Sequence, residues 1–455
     1  MSFSDAPAPD RGARRSLVAL LAAHAISQTG NVVTAFAVPF YVLGRGGSGV
    51  EVGLAAFFAT APVVLGGVLG GVVVDRVGHR RAAIAADLAS GVTVLAIPVL
   101  ALTVGLPFWA LLALVFAGGL LDTPGQTARR VMLPGLSMRA GARLEQSVGL
   151  LDGSERFAKL IGASVAGLLV AVLGPVAALF VNAATFLVSA VLTWVGVAPI
   201  PAALPAALLP DSDDAGTDPG GDKGRTSYWA DLAEGFRFVV ADPLMRLIVG
   251  LVLATNLLDA ARGSTLLPLY ANDRLGGAAA LGLLVAVMGG CALIGNIAFG
   301  FVAHRVPRRV AFALCFALAG GPSSAAFAFG APLPVLVALT ALSGLAAGAI
   351  NPILGTVELE RIPEQLRGRV FGLINAGAWA GVPFGALLGG VAGDTIGLPL
   401  AFGIVAVLYT LITLSPLSGG TWRQMERGAV AATRTEPATA DPSLPRARSG
   451  ATSGP

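Results

Sequence analysis

Twelve apolar stretches, parted by short polar turns and one long polar break, set the rhythm of this 455-residue chain. A helix needs about 20 mostly apolar residues to cross the hydrocarbon core of a bilayer, and the stretches approach or exceed that length. Six precede the break, at residues 16–43, 52–74, 82–102, 106–121, 147–173 and 175–198. Six follow it, at 243–269, 281–302, 310–329, 334–357, 370–391 and 398–417. The pattern predicts an all-α integral membrane protein of 12 transmembrane helices in two six-helix halves, residues 16–198 and 229–417. Residues 1–15 read as a short basic tail, and 199–228 as a Pro-, Gly- and Asp-rich linker with too little apolar surface to fold. Residues 228–242 read as an amphipathic helix at the membrane interface. The remainder, 418–455, lacks sustained periodicity and reads as a disordered tail.

Composition agrees with the pattern. Hydrophobic residues make up 55% of the chain and charged residues only 12%, against about 25% charged in soluble domains; the mean hydropathy is +0.78. A net charge of +4 and a pI near 9.5 would admit a nucleic-acid partner, but the arginines fall in short loops rather than on one polar face. One set of loops holds Arg76, Arg80, Arg81, Arg129, Arg130, Arg139, Arg143, Arg305, Arg308, Arg309, Arg361, Arg367 and Arg369, and the other little beyond Arg45 and Arg274. That asymmetry places the first set and both termini in the cytoplasm, for a multi-pass protein of the cell inner (plasma) membrane. The two cysteines, Cys291 and Cys315, lie in apolar runs, with no disulfide framework and no metal-ligand spacing. No Walker-type phosphate loop and no spaced nucleophile, base and acid occur, so the expectation is no enzyme, no cofactor and no bound metal. The scarcity of lysine, with abundant Ala and Gly, suggests a bacterial gene of high G+C content.

The two halves repeat at an offset of 229 residues: Pro39 maps to Pro268, Tyr41 to Tyr270, Gly53 to Gly282, Gly66 to Gly295, Gly71 to Gly300, Arg76 to Arg305, Arg80 to Arg309 and Pro134 to Pro363. An even number of spans per half gives both copies the same orientation, so the repeats are parallel about an axis normal to the membrane.

Between the second and third stretches runs Gly71-Val-Val-Val-Asp75-Arg76-Val-Gly78-His79-Arg80-Arg81. Asp75 falls at the C-terminal end of a helix, where the backbone dipole opposes a carboxylate, so it needs a partner: one of the nearby arginines or the positive N-terminus of another helix. In the second copy His304 stands for Asp75 and Pro307 for Gly78, so that loop keeps its cations and loses its carboxylate. The pattern Gly-x-x-x-Asp-Arg-x-Gly-x-Arg-Arg resembles the signature loop of the major facilitator superfamily of secondary transporters, with His79 where the family usually has Arg or Lys. The resemblance implies the major facilitator fold, a substrate site near the midplane between the halves, and transport by rocking one half against the other. It further implies a gating loop of Gly71, Asp75, Arg76, Gly78, Arg80 and Arg81. In it Asp75 braces against the start of the eleventh span, at Leu366-Arg367-Gly368-Arg369, and holds the cytoplasmic side closed in the outward-open state. Such a contact is worth about 1–2 kcal/mol, small enough for a switch between states a few kcal/mol apart.

Charged residues inside spans are functional candidates because each is costly in hydrocarbon. In the first half, His24, Asp122, Glu155 and Arg156 fall within a few turns of the cytoplasmic end of their spans and could face one another across a cavity. Against this, Glu155 and Lys159 have the spacing of a simple i, i+4 pair, and Asp122 could sit at the lipid interface. In the second half, Asn256, Asp259 and Arg262 lie in the middle to outer part of the seventh span. Asp259 and Arg262, at i, i+3, are the leading candidates for substrate or proton contact. Asp87 reads as support for the basic loop. Asn31 stands where many exporters of the nearest branch carry an acid; it can hydrogen-bond a substrate but cannot carry a proton. Gly149, Ala158, Gly162, Ala163, Ala166 and Gly167 keep the small residues of the antiporter fifth-span motif, which allow close helix packing, without its proline.

Residues 124–189 and 351–393 resemble the drug/proton antiporter branch that includes macrolide-efflux and enterobactin-export proteins. The function so implied is export of amphipathic or hydrophobic small molecules by proton antiport, from a monomer whose partners are a small-molecule substrate, protons and the lipid bilayer. An importer of nutrients or metabolites on the same fold, and a sensor or lipid translocator that moves no soluble solute, are the alternatives.

Overall fold

In the computed structural model of the chain, the residues described are 11–198, 228–363 and 366–426; the side chains at 64–65, 67–73, 75, 228–232 and 368–369 lie outside that description. Most of the expected linker, the first ten residues and the tail from 427 fall outside it too.

The described residues form helices and no strands. The first half comprises α1 (Arg11–Gly44), α2 (Gly49–Val77), α3 (His79–Leu102), α4 (Phe108–Arg139), α5 (Leu144–Leu173) and α6 (Pro175–Gly196). An amphipathic α7 (Tyr228–Ala241) leads into the second half. Its seventh span is α8 (Pro243–Ala260), a π-helical segment (Ala261–Leu266) and α9 (Leu267–Arg274); then come α10 (Ala278–Val302), α11 (Arg308–Ala328) and α12 (Leu333–Arg361). The eleventh span is split at Gly381 into α13 (Arg367–Ala380) and α14 (Val382–Ile396), and α15 (Leu398–Leu414) completes the bundle. Among the described residues, 11 helices are long and apolar enough to cross a membrane; α2, with 29 residues, supplies the remaining span of the twelve.

Three boundaries differ from expectation. The fourth span was expected to end at residue 121, yet α4 runs to Arg139, because Ala128, Met132, Leu133 and Leu136 continue its buried face past two internal prolines. The first helix begins at Arg11, inside the expected tail, with Ala13 and Leu17 buried. The expected disordered tail starts too early: Trp422 and Met425 are buried in a short 3₁₀ turn (Thr421–Met425), with Trp422 against Phe312.

The repeat is visible in how each half is fastened. Arg80, at the start of α3, donates to the Trp194 carbonyl at the end of α6. Its counterpart Arg309, at the start of α11, donates to the Pro416 and Leu417 carbonyls just past α15. In both cases a guanidinium satisfies the orphan carbonyls that end the last helix of a half. The connecting turns differ as the sequences do. Gly78 turns the chain in one residue with φ +88°, a conformation that L side chains rarely adopt, whereas Pro307 cannot adopt it and the second loop is longer.

Among the described residues the halves meet chiefly along two seams, α2 with α14 and α5 with α10. Both are made of small residues. A methyl group added at Gly53 would stand 2.8 Å from the Ala386 carbonyl oxygen, and one at Gly282 would stand 2.9 Å from that of Ala163. Gly53 and Gly282 are repeat equivalents, and their partners, Ala386 with Gly390 and Ala163 with Gly167, are both i, i+4 pairs. Each close approach lies near the ends of the helices on the arginine-poor face, the face of the turn after Gly44. There the apolar core is also shared, joining Phe40, Val42 and Ala178 of one half to Leu269, Ala278 and Leu281 of the other. Towards the arginine-rich face each half has its own core.

Helix α14, with Gly381 just before it, is seated on α8 and the π segment by a second stripe. Methyl groups at Gly381, Gly385 and Gly389 would stand 3.0, 2.0 and 2.6 Å from atoms of Leu253, Leu257 and Ala261 respectively, the spacing that lets two helix backbones touch. Gly385→Val is therefore expected to lower stability by about 1–3 kcal/mol or more through overpacking, read as a lower midpoint of thermal unfolding in detergent.

Candidate functional site

Three polar groups stand out within the bundle. The first centres on Asp122 of α4. It lies 14 residues from the start of α4 at Phe108, about 21 Å along the helix at ~1.5 Å per residue, roughly halfway along α4; across a hydrocarbon core of about 30 Å that is within a few turns of the arginine-rich face. Its side chain is buried, which removes the expectation that it could sit at the lipid interface. Asn31 of α1 donates to its Oδ2 at 2.8 Å and Gln126, one turn on in α4, donates to the same oxygen at 2.6 Å. The other oxygen, Oδ1, is buried and has no hydrogen-bond partner among the described residues. Two neutral amides thus orient a carboxylate that, among the described residues, is in no ion pair.

The second group is an ion pair in the interior of the first half. Asp87 of α3 and Arg129 of α4 are hydrogen-bonded and both side chains are fully buried. The Ser189 hydroxyl of α6 accepts from Arg129 at 3.0 Å and lies 2.8 Å from Asp87 Oδ2 and 3.0 Å from the Ala23 carbonyl. His24, the next residue of α1, is buried, and among the described residues neither ring nitrogen has a hydrogen-bond partner. Arg129 was expected in a loop as a topology signal and Asp87 as support for the basic loop; instead they tie α3, α4 and α6 together. The overlooked signal was the apolar spacing that continues beyond Arg129 and keeps it inside a helix.

The third group lies on the seventh span at the π segment, a distortion frequent at functional sites. Asp259 and Arg262 are 3.5 Å apart, and the Asp259 side chain keeps 41% of its surface open, against 15% for Arg262. Tyr409 of α15 donates to Asp259 at 3.3 Å, and Arg262 donates to the Ser323 hydroxyl of α11 at 2.8 Å. The expected pair is therefore formed, with its cation also anchored to a neighbouring helix.

Other candidates are placed differently. Asn256 donates to the Ala378 carbonyl at 2.9 Å, satisfying one of the carbonyls freed where α13 ends. Glu155 pairs with Lys159 at 2.9 Å and with Arg130 at 3.1 Å, so the simple i, i+4 pair holds. Arg156 is exposed. In the loop, Arg76 and Arg81 are exposed and Arg80 is engaged within its own half; the side chain of Asp75, and Gly71, lie outside the description.

A family model described as Major Facilitator Superfamily matches residues 20–295 and 264–420. The chain is 30% identical over 397 residues to a protein named multidrug efflux pump Tap from Mycolicibacterium fortuitum, covering 86% of this chain and 92% of that one. It is 32% identical over 389 residues to the protein of the same name from Mycobacterium tuberculosis, covering 84% and 88%. Its fold is similar to the crystal structure of a D-xylose-proton symporter, with TM-score 0.63 and 14% identity over 88% of this chain and 96% of that one. It is similar also to a bacterial homologue of iron transporter ferroportin in its inward-facing state, with TM-score 0.63 and 16% identity over 90% and 99%. At these identities the likeness to the two structures is one of fold.

Proposed function

Because the chain belongs to the Major Facilitator Superfamily, we propose that it exports amphipathic or hydrophobic small molecules, drugs among them, from the cell by proton antiport. The exporting direction and the drug-like substrate class rest on one observation, the likeness along most of the chain to two proteins named as multidrug efflux pumps. In this reading the arginine-rich face is cytoplasmic, the chain is a monomer of the inner membrane, and the seams at the arginine-poor face make the present arrangement inward-open.

Proton coupling is assigned to Asp122. A carboxylate held by two amides can gain and lose a proton without breaking an ion pair, which Asp87, Glu155 and Asp259 cannot. Asn31 is then no defect of coupling, because the acid has moved from the first span to the fourth within one cluster. Asp259 and Arg262, at similar depth in the other half, offer a substrate both charges beside apolar walls, a combination that selects by shape and hydrophobicity with few polar anchors.

Inverted vesicles with a preformed acid-inside gradient test the reading. Adding hydrophobic antibiotics or dyes is expected to dissipate the gradient as the compound accumulates. Accumulation with the gradient untouched removes proton antiport; uptake into intact cells of a polar nutrient alone, driven by inward proton flow, favours an importer.

A further inference from the structure

We infer that Asp394 is a gating residue, the latch that holds the arginine-poor face shut during the transport cycle. Asp394 lies in the last turn of α14, where its own helix dipole disfavours a carboxylate. The compensation comes from the opposite half. Asp394 Oδ1 accepts from the Gly49 backbone N–H at 2.7 Å, and Oδ2 accepts from that of Val50 at 2.8 Å. These are the first two residues of α2, whose N-terminal N–H groups have no partner inside the helix. One carboxylate thus satisfies two orphan donors across the boundary between halves, with both charge and dipole favourable.

The surrounding residues serve this approach. Gly49 carries no side chain because a methyl group there would stand 2.6 Å from Asp394 Oδ1 and 3.0 Å from the Gly390 carbonyl. Ser48 and Glu51 form a capping box, with the Ser48 hydroxyl accepting from the Glu51 N–H at 3.2 Å and the Glu51 carboxylate accepting from the Ser48 N–H at 3.1 Å. The cap thus takes care of donors that Asp394 leaves, and the two acids share one helix end without competing for the same N–H. Since α14 is seated on α8 by its glycine stripe, Asp394 moves with the second half, and its bonds must break whenever the two halves part at this face.

The latch also has a mirror position. Helix α2 and the eleventh span run side by side in opposite directions, and α2 carries Asp75 in its own last turn, at the end where the eleventh span begins. Each of the two helices therefore carries an aspartate in its last turn, Asp394 at the arginine-poor face and Asp75 at the other. Alternation between the two latches rests on the proposed transport cycle; the Asp394 latch itself does not.

The test reads geometry and needs no substrate. With Cys291 and Cys315 replaced by alanine, spin labels are placed at Val104 and Phe329, which are 81% and 89% exposed on the arginine-poor face, one on each half. Electron–electron distance measurement in lipid nanodiscs then gives the closed and open populations. Asp394→Asn is expected to lower the closed-to-open ratio about three- to tenfold, charge-assisted bonds being roughly twice as strong as neutral ones. Asp394→Glu is expected to keep most of the closed population. Val50→Pro removes one donor where a helix tolerates proline, leaves Asp394 intact, and is expected to shift the ratio the same way by a smaller factor. A parent-like distance distribution in Asp394→Asn overturns the latch. Should that variant fail to fold, a parent-like distribution in Val50→Pro overturns it instead. Loss of export with unchanged distances counts against the latch as well, whereas shifted distances in a protein that moves no drug leave the latch standing and remove only the export reading.

Discussion

Asp122→Asn is expected to lower substrate-dependent proton release from inverted vesicles on the order of a hundredfold, the scale set by losing a group that transfers protons. Substrate binding at equilibrium should stay close to that of the parent. The substitution preserves volume and keeps an oxygen to accept from Asn31 or Gln126, so the cluster persists while its titrating group is gone. The two measurements, collapse of the gradient and fluorescence of a bound dye, separate coupling from recognition. Asn31→Ala should be milder, because Gln126 still holds the carboxylate at 2.6 Å. If Asp122→Asn exports against a gradient as the parent does, the coupling acid lies elsewhere, and Asp259→Asn is the next variant to measure.

Arg129→Ala is expected to lower stability by about 3–5 kcal/mol, the cost of leaving a buried charge without its partner. Here the effect is large because neither side chain of the pair reaches solvent and the Ser189 hydroxyl cannot stand in for a guanidinium. Thermal unfolding of detergent-solubilised protein measures it. Replacing both members with apolar residues, as in Asp87→Leu with Arg129→Met, should recover most of the loss, since the desolvation cost of both ions is removed with their attraction. A single variant as stable as the parent means that water reaches the node and that it belongs to a pathway, with His24 the nearest group to examine.

Much of this architecture can be read from hydropathy, because lipid leaves a helix as the way for each apolar run to satisfy its own backbone. Twelve runs, the 229-residue offset and the arginine asymmetry gave the spans and their pairing into halves. What hydropathy could not give is where a helix stops once it leaves the apolar zone. In the sequence the fourth run ends at Leu121 only because Asp122, Pro124 and Gln126 interrupt it, yet its buried face continues, and this hid Arg129. The i, i+3 and i, i+4 pairs on single helices, Asp259 with Arg262 and Glu155 with Lys159, were legible from spacing alone. Contacts between distant segments were not: Asn31 with Asp122, Asp87 with Arg129 and Asp394 with Gly49 depend on helix rotation, which no one-dimensional pattern fixes. Asp394 in particular reads as an ordinary polar residue at a span end until α2 is placed beside it.

Helix α14 has two faces of small residues that carry different burdens. Gly381, Gly385 and Gly389 bind it permanently to α8, so added bulk there damages the protein as a whole. Ala386 and Gly390 face α2 across a boundary that has to separate and re-form, so added bulk there changes how long each arrangement lasts. Under the proposed export, drug tolerance in a cell carrying this protein would therefore drift up or down through single methyl groups on one face of one helix, with every residue that touches the drug unchanged.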